Sequence, residues 1–188
     1  MNLTPPFEIG VLNLWICIAL TFLLPIVINP FIKTSGKRTR STLSLPQMSA
    51  GKKVIYYTWI GVQLLTYLYS IFVPFALGSV WFYPGMIIFI SGMVMMGFKT
   101  HAFRTSPADQ LITSGIYKIS RNPEYFALFL CYLGMGLAGL AWPLLVLAGA
   151  HFLLYQITAN YEERTCAGLW PDEFAEYKRK VAKNFLFF

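Results

Sequence analysis

The chain has 188 residues, of which 56% are hydrophobic, 17% aromatic and only 12% charged, far from the roughly 25% charged content of an ordinary soluble domain. That balance excludes a water-soluble globular domain and predicts an all-α integral membrane bundle, in which five spans of about 20 residues consume nearly all of the length and residues 1–188 form one domain. The net charge of +7 calls for no nucleic-acid partner, because a basic cytoplasmic face and anionic lipid headgroups account for it.

The first ten residues have no basic n-region and include Glu8, and no small-residue cleavage site follows, so the first apolar segment reads as a retained helix. It covers residues 11–31, bent at Pro25 and closed near Pro30. A basic, Ser/Thr-rich stretch over residues 33–53 comes next and suits either a substrate-gating loop or a surface tether. The second span covers residues 54–77, with Tyr and Trp near its ends as in an interfacial belt, and the third covers residues 81–98. Only a few uncharged residues separate the two, which predicts a tight hairpin. After a polar stretch come a fourth span over residues 125–140 and a fifth over residues 143–161, with Trp142-Pro143 marking the turn between them. Phe174, Tyr177 and Val181 recur at helical spacing, which predicts a short C-terminal helix over residues 172–183 at the interface or against the bundle.

Charge sets the orientation. Six basic residues fall between the first and second spans, four (Lys99, Arg104, Lys118 and Arg121) between the third and fourth, and five after the fifth. Lys and Arg accumulate on the cytoplasmic side, so the N-terminus is expected outside and the C-terminus in the cytoplasm, in a cell inner membrane or its equivalent.

Polar residues gather at that cytoplasmic side in two clusters. The first runs from Asp109 through Thr113, Ser114 and Tyr117 to Ser120-Arg121-Asn122-Pro123-Glu124-Tyr125. Pro123 suits the first helical position, and Asn122 suits an N-cap whose side chain holds a free backbone N–H. Such a helix start can receive a carboxylate or phosphate with Arg121 beside it, or it is simply a capped, positively charged start. The second cluster is Asn160-Tyr161-Glu162-Glu163-Arg164 at the end of the fifth span. Acids there oppose the helix dipole and call for a cation. Pairing with Arg121 or Arg164, or simply facing water, is the preferred reading for Glu163, and a ligand contact for Glu162.

The other features read mainly as structural. His151, interior to the fifth span, is expected to bond to a neighbouring helix, although intramembrane ionisable groups are often functional. His101 lies near the cytoplasmic end of the third span. Tyr155, Gln156, Thr158 and Asn160 suit interhelical hydrogen bonds, and Gly134, Gly136 and Gly139 suit close packing. Cys17 and Cys131 read as packing residues, and no metal ligand set is expected.

In order, Leu111-Ile112-Thr113-Ser114-Gly115-Ile116-Tyr117, Arg121-Asn122-Pro123-Glu124-Tyr125, Glu162-Glu163 and Phe174-Ala175-Glu176-Tyr177 resemble the isoprenylcysteine carboxyl methyltransferase and phospholipid methyltransferase superfamily of membrane enzymes. The resemblance covers about the last eighty residues, and its specificity lies in the ordered combination. It implies an S-adenosylmethionine pocket formed by Leu111, Ile112, Tyr117, Asn122, Pro123, Glu124, Tyr125 and Glu162, closed by the C-terminal segment. Arg121 matches the essential arginine of the family, and Glu163 joins Arg121 and Glu162 as a catalytic candidate. Eukaryotic carboxyl methyltransferases usually carry His where Asn122 stands, while Asn occurs among prokaryotic and phospholipid-type relatives. At Glu124, relatives usually carry a small or apolar residue, and an outward-facing first-turn acid is the favoured reading there.

The implied reaction is methyl transfer to a lipophilic or amphiphilic acceptor at the cytoplasmic face, either a prenylcysteine-like carboxylate or a lipid headgroup, with membrane lipids or a lipidated molecule as partner. Glu162 with Tyr117 or Tyr125 would hold the cationic part of the donor, and Glu162→Gln is expected to weaken it more than Glu163→Gln. The alternative is a non-catalytic lipid-binding or scaffold protein of the membrane. A small transporter is disfavoured because no charge sits at the membrane centre and no pair of broken repeat helices is evident.

Overall fold

The computed structural model describes residues 7–32, 50–107 and 109–185. Among these, six α-helices follow in order: α1 Trp15–Ile28, α2 Ala50–Phe72, α3 Phe82–Thr105, α4 Pro123–Ala138, α5 Trp142–Leu169 and α6 Pro171–Lys180. Most of the basic stretch, residues 33–49, lies outside the described residues, and residues 50–53 already belong to α2.

The apolar pattern locates every helix but misplaces several ends. α2 stops at Phe72 rather than 77, because Pro74 lacks a helical N–H. Residues 73–75 run extended against the N-terminal segment instead. Leu14 N donates to Val73 O at 2.9 Å, Phe75 N to Leu12 O at 3.1 Å and Glu8 N to Phe72 O at 2.9 Å. Buried Asn13 fastens the pairing through Nδ2, which donates to Glu8 O at 2.6 Å and Ile71 O at 2.7 Å. Using residues 11–14 in this way delays the start of α1 to Trp15.

Two helices outrun their apolar runs. α3 continues to Thr105 and α5 to Leu169, since Glu, Arg and Ala sustain a helix where hydropathy has already fallen. Pro171 ends α5, holding Trp170 at φ −136° and ψ 69°. Glu162 and Glu163 therefore lie inside α5, not at its end, and escape the dipole penalty expected of a terminal acid. The C-terminal helix is shorter than expected. α6 stops at Lys180 and Val181 is extended, with Asp172 and Glu173 in the first turn and Lys178, Arg179 and Lys180 in the last.

α3 and α5 are long and apolar enough to cross a membrane, and the segments Trp15–Phe31 and Pro123–Ala138 are shorter apolar helices. Large hydrophobic side chains face outward, among them Leu64, Leu65 and Leu68 on α2, Ile87, Ile90 and Val94 on α3, and Val146 and Leu153 on α5. In water that surface would be an aggregation site; against lipid it is ordinary.

Inside, α3 and α4 meet almost backbone to backbone. A Cβ added to Gly134 would lie 2.5 Å from Phe89 N and 2.6 Å from Gly85 O, and one on Gly92 would lie 2.6 Å from Ala127 O. Gly136 and Gly139 play the same part against Leu145 and against Leu14 with Val73. This is the close small-residue packing expected of the glycines. Polar groups between α2, α4 and α5 pair with one another. His151 Nε2 lies 3.1 Å from Thr66 Oγ1, Gln63 Nε2 donates to the Tyr132 hydroxyl, and His151 stacks on Tyr132 with centroids 4.4 Å apart.

α4 closes with a Schellman motif: Ala141 N donates to Gly136 O at 2.9 Å and Leu140 N to Leu137 O at 3.1 Å. The residue in the left-handed position is Leu140, at φ 49°, where a side chain costs about 1 kcal/mol relative to glycine. Leu140→Gly is expected to stabilise the protein by up to about 1 kcal/mol, read as a higher midpoint in thermal unfolding of the detergent-solubilised protein; a lower midpoint would show that the leucine side chain contributes more through packing than its backbone costs.

Candidate functional site

The segment leading from α3 to α4 reverses at Gly115, whose φ of 60° suits glycine, and continues as a 3-10 turn over Gly115–Lys118. It delivers Ser120, Arg121 and Asn122 to the start of α4, beside the cytoplasmic part of α5 expected from the charge pattern. The C-terminal segment after α6 crosses the same place.

Arg121 is the centre of that meeting. Its side chain is only 6% exposed. Nε donates to Glu163 Oε1 on α5 at 3.0 Å, and Nη1 donates to Lys178 O at 3.2 Å and to Val181 O. Its backbone N donates to Ala182 O at 2.9 Å. Asn122 Nδ2 reaches the same Glu163 Oε1 at 2.9 Å and Lys183 O at 3.3 Å, and Ser120 Oγ donates to Lys183 O at 3.1 Å. Pro123 takes the first helical position as expected, but the Asn122 side chain makes no cap on α4. Its Nδ2 donates instead to Glu163 and the C-terminal segment, which turns the side chain, and with it Oδ1, away from the N–H groups of the first turn.

The acidic pair divides. Glu163 turns inward with its side chain 13% exposed, as the pairing with Arg121 anticipates, while Glu162 is exposed. Both bonds to Glu163 use Oε1; among the described residues Oε2 carries none. Glu124 reaches α3, where its Oε2 lies 2.7 Å from Lys99 Nζ. That ammonium also sits 5.4 Å from the Phe103 ring centroid. Glu124 thus ties α3 to α4 and is not a purely outward acid.

The remaining site candidates surround this core. Tyr117 accepts through its carbonyl from the Tyr177 hydroxyl at 2.6 Å. Burial pushes the Tyr177 hydroxyl well above its ordinary pKa, against the opposing charge of Arg121, so it stays a donor through the physiological range. Leu111 packs on the cluster of Phe174, Tyr177 and Val181, Ile112 is half-buried, and Tyr125 stacks on Tyr155 with centroids 5.0 Å apart. His101 is exposed. Two residues escaped the sequence reading. Lys183 Nζ donates to Asn160 Oδ1 at 2.8 Å, and Asn184 Nδ2 to Gln156 Oε1 at 2.9 Å. Gln156 and Asn160 thus bond to the C-terminal segment, where interhelical bonds were expected. No local motif marks Lys183 or Asn184.

Residues far apart in sequence converge here in the order the resemblance requires, and the phospholipid methyltransferase family model matches residues 73–173, more than half of the chain. The chain belongs to the phospholipid methyltransferase family. It is a membrane methyltransferase of the superfamily anticipated from the motifs, and enzymes of this family use S-adenosylmethionine. Comparison with individually curated proteins gives no match. The matched region contains Arg121, Asn122 and both glutamates, and stops before Lys183.

If Arg121 fastens the C-terminal segment of this methyltransferase, Arg121→Ala should raise amide hydrogen exchange over residues 178–185 by at least tenfold while α3 and α4 keep their protection. Uniform protection in the variant would mean that the carbonyl contacts do not hold the segment.

Proposed function

We propose that this enzyme transfers a methyl group from S-adenosylmethionine to the headgroup of a membrane phospholipid at the cytoplasmic face, within one domain of five membrane spans whose N-terminus lies outside and C-terminus inside. The observation that carries the reading is the meeting of Arg121, Asn122 and Glu163, drawn from the two motif clusters of the matched region, beside the C-terminal segment whose Tyr177 bonds to the Tyr117 carbonyl. The charge pattern of the loops supports the orientation.

The residues present fit the donor. Its sulfonium and ammonium are cationic, and Glu163 offers a mostly dry carboxylate with Oε2 still open. Tyr117 and Tyr125 supply aromatic surface for the same cations. The first turn of α4, after Pro123, supplies the positive end of its helix dipole and Arg121 a guanidinium for the donor carboxylate. Leu111 and Ile112, both half-buried, would line the apolar side, while Pro123 is fully buried and sets the start of α4. Glu124, joined to Lys99, fixes α4 against α3 and so positions this set. When bound, S-adenosylmethionine supplies the methyl group, the acceptor nitrogen or oxygen bonding to that carbon as its bond to sulfur breaks. The protein contributes alignment and exclusion of water. For an amine acceptor the proton it sheds goes to Glu162, an exposed carboxylate, and on to solvent.

Calorimetric titration of S-adenosylmethionine or S-adenosylhomocysteine into detergent-solubilised protein tests this reading. Saturable binding is expected, weakened at least tenfold by Glu163→Gln and little changed by Glu162→Gln. This is the reverse of the order that the motif alone implies, because Glu163 is the inward residue. Larger loss in Glu162→Gln would return the donor contact to the first glutamate, and no binding by well-folded wild type would overturn the site.

A further inference from the structure

Lys183 is a cation held by neutral groups. Its Nζ donates to Asn160 Oδ1 at 2.8 Å and to Gln156 O at 3.4 Å, and among the described residues no carboxylate lies within ion-pairing distance of it. Partial burial lowers its pKa, opposed by the field of Glu163. An ammonium in that setting is completed by an anion that can accept its remaining donors. Next to it, Gln156 Oε1 accepts from Asn184 Nδ2, while among the described residues Gln156 Nε2 and Asn184 Oδ1 are both buried with no partner. The Lys183 ammonium, partly open to solvent, keeps donors that an anion can accept, and Gln156 Nε2 beside it can donate to the same oxygen.

An apolar path leads away from this corner. Phe185, two residues past Lys183, lies 5.2 Å from Phe126 between ring centroids. Phe126 lies 6.2 Å from Phe129, and Phe129 lies 4.8 Å from Phe152. Phe152 stands one turn from Gln156 on α5, and all four rings are partly exposed. A polar, cationic corner thus continues into a file of half-exposed aromatic rings along α4 and α5, the order of chemistry in a phospholipid.

We infer that Lys183 and Gln156 bind the phosphate of the acceptor phospholipid, and that one acyl chain lies along Phe126, Phe129 and Phe152. This rests on the reading that the acceptor is a phospholipid and adds where it docks. Asn122 Nδ2 bonds to both Lys183 O and Glu163 Oε1, so a phosphate at Lys183 sets the rest of the headgroup beside the residues assigned to the donor. Free inorganic phosphate shares the anion chemistry but has nothing to place on the aromatic file.

Native mass spectrometry of the full chain released from detergent, incubated with defined lipids, reads the site without turnover. Wild type is expected to retain phosphatidylethanolamine and phosphatidic acid but not diacylglycerol, and millimolar inorganic phosphate should not displace them. Lys183→Gln should lose both phospholipids at least tenfold, Lys183→Arg should keep them, and Phe129→Ala should weaken them. Asn160→Leu, which removes the tether and leaves the cation, should retain them. Equal retention of diacylglycerol, displacement by free phosphate, unchanged binding in Lys183→Gln, or loss in Asn160→Leu as large as in Lys183→Gln would each overturn the assignment. A parallel S-adenosylhomocysteine titration separates the two readings: Lys183→Gln should bind it as wild type does, and wild type that retains phospholipid without binding it counts against the donor site alone.

Discussion

A guanidinium removed from water must have its charge met and its N–H groups accepted, and Arg121 satisfies this only by collecting three pieces of chain that sequence keeps apart. Its Nε takes a carboxylate from α5 and its Nη1 takes carbonyls from the end of α6 and the residue after it. Asn122 repeats the pattern with one oxygen shared. The position of the C-terminal segment, the inward turn of Glu163 and the burial of Tyr177 all follow from neutralising this one group. A buried ion pair is weak support for stability taken alone, because desolvation offsets the attraction. Here its effect is to fix which parts of the chain meet.

That meeting needs a rigid platform, and the α3–α4 contact provides it. With glycine on both helices the two backbones approach so closely that neither helix can slide or rotate without a clash. The Lys99–Glu124 pair sits at the end of the same contact nearest Arg121 and Asn122. The start of α4 is therefore held from both sides: by α3 through small residues and an ion pair, and by α5 through Arg121 and Asn122. Precision in a site comes from such cross-bracing more than from the site residues themselves.

The sequence was legible wherever a single physical rule dominated. Apolar runs located all five long helices, and the order of the motifs identified the family. Ends were harder. Hydropathy says where a chain prefers lipid, not where a helix stops, so α3 and α5 run on through Arg104 and through Glu162 to Arg164, while Pro74 cuts α2 short inside an apolar stretch. Capping by Asn122 is a local option that the sequence suggests, and the long-range bonds of its Nδ2 to Glu163 and Lys183 orient the side chain otherwise. Pairing of Glu163 with an arginine was predictable from charge, yet the choice between adjacent glutamates depends on helix phase relative to a partner that the sequence does not show. Lys183, Asn184 and their partners on α5 are contacts across more than twenty residues between groups with no motif of their own.

The length of α5 has a consequence for the setting in which this enzyme works. Its 28 residues make a rod of about 42 Å at 1.5 Å per residue, against a hydrocarbon layer of about 30 Å. Glu163 and the groups that hold Lys183 stand on its C-terminal half, so in the proposed orientation their depth is fixed by the rod and not by the lipid. A thicker bilayer raises the phosphate plane toward that level and a thinner one drops it away, with tilt able to absorb only part of the mismatch. For the proposed site, membrane thickness thereby becomes a variable that sets how well headgroup and protein coincide.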